Sequence, residues 1–200
     1  LRRLSLGPVD SLDALSSLAS LEELIVDEVH SGDLAPLARL TRLRVLQIGA
    51  GDPRVWKANP NPGDRTAGLR YSLERGGGVA DLRPLAGLSR LEVLEIVGAK
   101  VVDVGPLAGL GALRVLNLRT NQVVDVGPLG ALTRLEILFL EENRISDAGP
   151  LAGLSSLREL RLDDNPIADA QPLAGLTELE ELSLGRTQVR DARPLVALPK

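Results

Sequence analysis

The sequence predicts an α/β fold: a solenoid of parallel strands in which each turn of chain stacks on the one before. Three observations carry this. Leu91, Leu113, Leu135, Leu157 and Leu179 stand 22 residues apart, so the chain repeats itself at one fixed period. Within each unit an LxxLxL run alternates apolar and polar residues, as a half-buried strand does. Ahead of each following unit, a DxxPLAxL segment reads as a tight helical turn.

The regular units read LEVLEIVGAKVVDVGPLAGLGA, LRVLNLRTNQVVDVGPLGALTR, LEILFLEENRISDAGPLAGLSS, LRELRLDDNPIADAQPLAGLTE and LEELSLGRTQVRDARPLVALPK. Upstream, Leu21 opens another full unit and Leu1 a 20-residue one. The unit at Leu43 runs 48 residues to Leu91, which is 26 more than the period. The chain therefore reads as a single domain, 1–200, of eight repeats, with an insertion at about 51–77 in the third. One unit cannot bury its own apolar face, so the stack must supply the core.

Two columns shape the turn. Asp33, Asp81, Asp103, Asp125, Asp147, Asp169 and Asp191 recur at one unit position, with a Pro three residues after each. Asp caps the free N–H groups at the start of the turn, and Pro presets φ. Recurrence in nearly every unit favours capping over metal binding. Leucine, Val, Ile and Ala build the core, since the chain holds one Trp, one Tyr and one Phe.

Composition narrows the function. A net charge of −4 argues against nucleic acid, which asks for a basic face. No apolar run approaches the ~20 residues of a membrane span, and no secretory signal stands out. Cys is absent, which removes disulfides and thiol chemistry. Arg outnumbers Lys 20 to 3, a codon bias that points to a GC-rich bacterial genome. Met is absent and Leu1 falls inside a repeat, so a fragment of a longer chain is expected. Localisation stays open, with the cytoplasm favoured over secretion or the cell surface.

The pattern LxxLxLxxNxIxDxxPLAxL resembles the leucine-rich repeat family. Its 22-residue length and the stretch NRISDAGPLAGLSSLRELRLDDN are similar to the bacterial internalin-type class. The resemblance implies a right-handed horseshoe with parallel strands on the concave face and short 3-10 or helical turns on the convex face. It also implies binding of proteins across the concave face, in a role that is not enzymatic. The Asn that closes each strand occurs only as Asn121, Asn143 and Asn165, with Val29, Ala99 and Thr187 elsewhere. The N-terminal half is therefore expected to be less regular.

Side chains alternate across a strand. Unit positions 1, 4, 6, 11, 17 and 20 are read as inward, and positions 3, 5, 7 and 8 as projecting from the concave face. Position 2 alternates in sign through all eight units: Arg2, Glu22, Arg44, Glu92, Arg114, Glu136, Arg158, Glu180. This reads as a structural ladder in which each residue pairs with both neighbours.

Position 3 carries Val45, Val93, Val115 and Ile137 in the middle, with Glu23, Glu159 and Glu181 outside. Strand propensity alone favours Val and Ile there; a contact stripe is the functional reading. Phe139, at position 5, tips the balance because no core needs it on a solvent face. Glu141, Glu142, Asp163 and Asp164 then gather four carboxylates on adjacent strands, flanked by Arg119 and Arg186, with Arg161 at position 5 of the seventh unit. A basic partner or a cation would relieve their repulsion; a solvated rim is the plain alternative.

His30 stands without Cys or a second His nearby and reads as a surface loop residue. Gly76, Gly77 and Gly78 follow the insertion, not a strand, and read as the point where the chain re-enters the solenoid. Trp56 and Tyr71 lie in the insertion. Trp and Tyr dominate binding hot spots, although Trp56 also suits a role as anchor of the loop. The candidate partner-binding set is thus Trp56, Tyr71, Val93, Val115, Arg119, Ile137, Phe139, Glu141, Glu142, Arg161, Asp163 and Asp164. No catalytic residue, metal or cofactor is expected. The expected molecule is a monomeric protein-binding module, with a spacer or sensor arm as the alternative and a carbohydrate-acting enzyme built on the acidic quartet as the remotest reading.

Overall fold

The computed structural model describes residues 1–49 and 77–198. Eight parallel strands form one open sheet in sequence order among these residues. They are β1 (Arg3–Leu6), β2 (Glu23–Val26), β3 (Val45–Ile48), β4 (Val93–Ile96), β5 (Val115–Asn117), β6 (Ile137–Phe139), β7 (Glu159–Arg161) and β8 (Glu181–Ser183). The register is unbroken: Leu46, Leu94, Leu116, Leu138 and Leu160 are paired in succession. The pairing of Val45 with Val93 shows that the extra residues between β3 and β4 leave the register intact.

Each strand is followed by a 3-10 turn, from Asp13–Ser17 in the first unit to Arg193–Ala197 in the last. Five-residue turns such as Gly127–Ala131 close through i to i+3 bonds, with Leu129 N–H to Val126 O and Leu132 N–H to Leu129 O both at 2.9 Å. Runs this short are the usual extent of 3-10 geometry. The Asp column does cap them. A carboxylate oxygen accepts from the N–H two residues on, at 2.7 Å for Asp103, Asp125 and Asp147. That N–H belongs to the first residue of the turn, and the next residue is Pro, which has no N–H left to satisfy.

The core is a stack of aliphatic columns. Leu94, Leu116, Leu138 and Leu160 are fully buried, as are Leu91, Leu113 and Leu135 one column over. Position 14 forms a further inward column that the alternation did not reveal: Leu34, Leu82, Val104, Val126, Ala148 and Ala170 are all buried. It lies outside the strand, just ahead of the 3-10 turn, where a period of two no longer applies.

Asparagine closes the regular units. Asn143 Oδ1 accepts from Val123 N–H at 2.9 Å, while its Nδ2 donates to Leu118 O at 2.9 Å and Leu140 O at 3.0 Å. Asn121 and Asn165 repeat the arrangement one turn before and one turn after. Where Asn is present, the residue ahead of it adopts a left-handed backbone without being glycine: Thr120, Glu142 and Asp164 all have φ 56°. Arg186, ahead of Thr187, shares it with φ 55°, and Gly98 holds the same unit position in the fourth unit; the other described residues with positive φ are Gly32, Gly49 and Gly77, at other unit positions. The return after the insertion depends on the last of these. Gly77 has φ 64°, and a Cβ there would lie 2.3 Å from Val29 O. Gly78 N–H donates to Val29 O at 3.2 Å, locking the re-entering chain onto the loop of the second unit. Gly76 lies outside the described residues.

The charge ladder at position 2 differs from the expected continuous one. Among the described residues it forms four separate pairs: Arg2 with Glu22 at 3.7 Å, Arg44 with Glu92 at 2.9 Å, Arg114 with Glu136 at 2.8 Å, and Arg158 with Glu180 at 3.4 Å. A bidentate guanidinium–carboxylate fork uses both oxygens of its partner, as Arg114 does on Glu136. It then leaves nothing for the other neighbour. These pairs are solvent-exposed, so Glu136→Ala is expected to lower unfolding stability by less than about 1 kcal/mol. Urea titration of the variant checks this; a larger loss would mean the ladder is structural in more than register.

Candidate functional site

The face of the sheet opposite the core carries positions 3 and 5 of each strand, with positions 7 and 8 just past the strand ends. Val45, Val93, Val115 and Ile137 stand side by side in register and are half-buried. The predicted apolar stripe is therefore a continuous row across four strands. Trp56 and Tyr71 lie outside the described residues.

Position 5 departs from expectation. The alternation predicts side chains projecting into solvent there, yet Gln47, Glu95, Asn117 and Phe139 are 3%, 2%, 8% and 9% exposed. Phe139 is therefore no solvent-face aromatic. The Arg161 guanidinium stacks over its ring, 4.8 Å from the centroid, a cation–π contact that covers it from the next strand. The alternation rule gives the direction of a side chain correctly; it does not say how far the neighbours on adjacent strands cover it.

Three of these position-5 residues, missed by the sequence reading, form a polar row. Gln47 Nε2 donates to Glu95 Oε1, and Asn117 Nδ2 donates to Glu95 Oε2 at 3.3 Å. Burial pushes the Glu95 carboxyl above its ordinary range, against the pull of those two donors. The signal was available: Gln47, Glu95 and Asn117 occupy one unit position in consecutive strands, and three hydrogen-bonding side chains in register are a ready network.

The four carboxylates at positions 7 and 8 are not a bare repulsive cluster. Glu142 accepts from Arg119 at 3.0 Å and from Thr120 Oγ1 at 3.3 Å. Asp164 pairs with Arg186, which holds its carboxyl below the usual range. Asp163 Oδ1 accepts from Ser183 Oγ at 2.8 Å and from Gly185 N–H at 3.0 Å. Arg161 bridges Glu159 at 2.5 Å and Glu181 at 3.0 Å. The expected mutual repulsion is thus taken up internally for three of the four. Glu141 is the exception. Its Oε2 is buried and has no hydrogen-bond partner, and burial pushes its carboxyl up to about 7 despite the attraction of Arg119 and Arg161.

That shift has a pH consequence. In the unfolded chain Glu141 ionises near its ordinary 4.5, in the folded chain near 7. The neutral form is favoured by folding, so its contribution is complete below 4.5 and is lost as pH rises to 7. Wild-type stability is expected to fall by about 2–3 kcal/mol across that window from this residue, and Glu141→Gln to flatten the fall. Denaturation midpoints from pH 4 to 8 check it; equal slopes in both proteins would refute the assignment.

The remaining features are structural. His30 is exposed and lies 3.4 Å from Asp10 and 3.6 Å from Glu28, in the loop expected for it. Among the described residues no group of three or more His, Cys, Asp or Glu is arranged to hold a metal ion. None of their helices is long and apolar enough to cross a membrane.

A family model of leucine-rich repeats, in two copies, matches residues 111–153 and 155–197. Compared by sequence with curated proteins, the chain finds no significant match. Among solved structures, internalin C2 of Listeria monocytogenes is 33% identical with a TM-score of 0.78, over 96% of this chain and 74% of that one. Internalin F of the same organism is 30% identical with a TM-score of 0.70; the match covers 97% of this chain and 56% of that one. The ectodomain of the plant receptor kinase GASSHO1/SCHENGEN3 from Arabidopsis thaliana is 20% identical with a TM-score of 0.67, over 92% of this chain and 20% of that one, and shares the fold. Periodicity, strand register and one-third identity over most of internalin C2 agree, and the chain belongs to the leucine-rich repeat family, in its internalin-like class.

Proposed function

We propose that this chain is a non-catalytic protein-binding module that contacts its partner through the sheet face. The leucine-rich repeat fold is a common protein–protein interaction module, and its members are typically not enzymes. The observation that supports the reading here is the row Val45, Val93, Val115 and Ile137. These are β-branched side chains in register, half-buried rather than buried, on a face that no other described layer of the solenoid covers. Apolar rows left open on a folded surface mark contact sites. Arg119, Glu142, Asp164 and Arg161 border the row with internally paired charges, and Asp163 with a carboxylate held by two hydrogen bonds, which favours orientation and specificity over bulk attraction.

The test uses two variants of similar chemistry. V93S/V115S/I137S changes the row; V102S/V124S changes two exposed valines outside the sheet, which are 52% and 51% exposed. Used as baits in lysate of the native cells, the first is expected to lose proteins that the wild type and the second retain. If all three baits retain the same proteins at the same level, the sheet face is not the contact surface and the solenoid is a spacer or sensor arm.

A further inference from the structure

The charge on the sheet face goes further than the binding reading, on which this inference rests, and indicates what kind of partner segment fits. Positions 3, 5, 7 and 8 of the eight units carry ten carboxylates and four guanidiniums, whereas the whole chain has a net charge of only −4. The surplus of acid therefore belongs to this face, and the rest of the molecule is slightly basic. All four guanidiniums are already committed: Arg3 to Glu23, Arg119 to Glu142, Arg161 to Glu159 and Glu181, and Arg186 to Asp164. None is left to neutralise the remainder.

Buried side-chain atoms without a hydrogen-bond partner point the same way. Among the described residues there are three: Gln47 Oε1, Glu141 Oε2 and Arg161 Nε. All three are on this face. Two are acceptors, and Gln47 is only 3% exposed, so its carbonyl oxygen sits out of water with no donor. A buried acceptor without a donor is costly to keep, and an N–H donor from outside relieves it. Arg161 Nε belongs to the guanidinium that stacks on Phe139. Glu141 and Asp163 hold the same unit position on adjacent turns, just past the ends of β6 and β7, and neither has an ion-pair partner among the described residues.

We propose that the sheet face takes an extended cationic segment of a partner protein, with its basic side chains against Glu141 and Asp163 and its apolar side chains on the row Val93, Val115 and Ile137. An extended chain alternates its side chains, so one segment presents both. Basic groups supply the N–H donors that this face lacks, and long-range attraction speeds the encounter.

The probe is a fluorescein-labelled peptide of alternating Lys and Val, with alternating Glu and Val as the control, followed by anisotropy at physiological salt. The Lys–Val peptide is expected to bind wild type at least tenfold more tightly than the Glu–Val peptide. E141Q/D163N is expected to weaken that binding at least tenfold. D13N/E178Q, which removes the same charge from exposed positions off this face, is expected to change it less than twofold. Equal binding of the two peptides to wild type overturns the proposal without reference to any variant. Equal weakening by the two double variants also overturns it, since it shows attraction to net charge alone. If V93S/V115S/I137S loses proteins from lysate while E141Q/D163N keeps them, the binding-module reading stands and the cationic segment is wrong.

Discussion

Leu116→Ala is expected to destabilise the chain by ~2–5 kcal/mol. Leu116 lies at the centre of the sheet, paired with Leu94 on one side and Leu138 on the other, and all three are fully buried. Truncation removes the transfer energy of the lost carbons and leaves a cavity. The strands on both sides are pinned by backbone bonds, such as Arg114 N–H to Glu92 O at 2.9 Å and Glu136 N–H to Arg114 O at 2.8 Å, so the walls cannot collapse inward. The comparison with Glu136→Ala is the decisive one. Both residues belong to adjacent central units, one inward and one on the exposed ladder. Urea denaturation followed by circular dichroism should separate them by several kcal/mol; comparable losses would mean that the columns face the wrong way.

Asn143→Ala is also expected to be strongly destabilising, by ~2–3 kcal/mol, although it removes no apolar contact. The side chain satisfies one buried backbone donor and two buried carbonyls, on three different segments of chain. Alanine leaves Val123 N–H without a partner, at roughly 1–3 kcal/mol for a buried group not reached by water, while Leu118 O and Leu140 O each lose one donor and keep another, from Asn121 Nδ2 at 2.9 Å and Asn165 Nδ2 at 2.8 Å. Asn143→Leu, which restores volume, should not rescue the protein, because the cause is polar. A loss below about 1 kcal/mol in the alanine variant would show that water reaches the strand end and replaces the amide.

The sheet-face proposals depend on which side chains are open, and here the reading of sequence and the structure part company at particular residues. Val93, Val115 and Ile137 were legible as one row, since a fixed period of 22 places equal unit positions side by side. Phe139 was legible as a sheet-face residue and misread as exposed. Its burial comes from Arg161, 22 residues further along, whose guanidinium lies over the ring. Glu141 and Asp163 look equivalent in the sequence, but Ser183 and Gly185 both donate to Asp163 Oδ1 while Glu141 Oε2 has no donor.

The sequence by itself determined the solenoid, the number and order of its strands, the register, the inward leucine columns and the Asp–Pro start of each turn. All of these follow from interactions that recur at one spacing. A local period of two sets which way a strand side chain points, and stacking identical units leaves only one way to bury the apolar set. Only the tertiary structure decided which ladder charges pair, that Gln47, Glu95 and Asn117 form a buried polar row, and that Glu141, among the four carboxylates at positions 7 and 8, keeps a buried oxygen without a partner. These are set by side-chain reach and competition between neighbours on adjacent turns. A guanidinium that closes a fork on one carboxylate is lost to the next, and a repeating sequence presents both choices as equals.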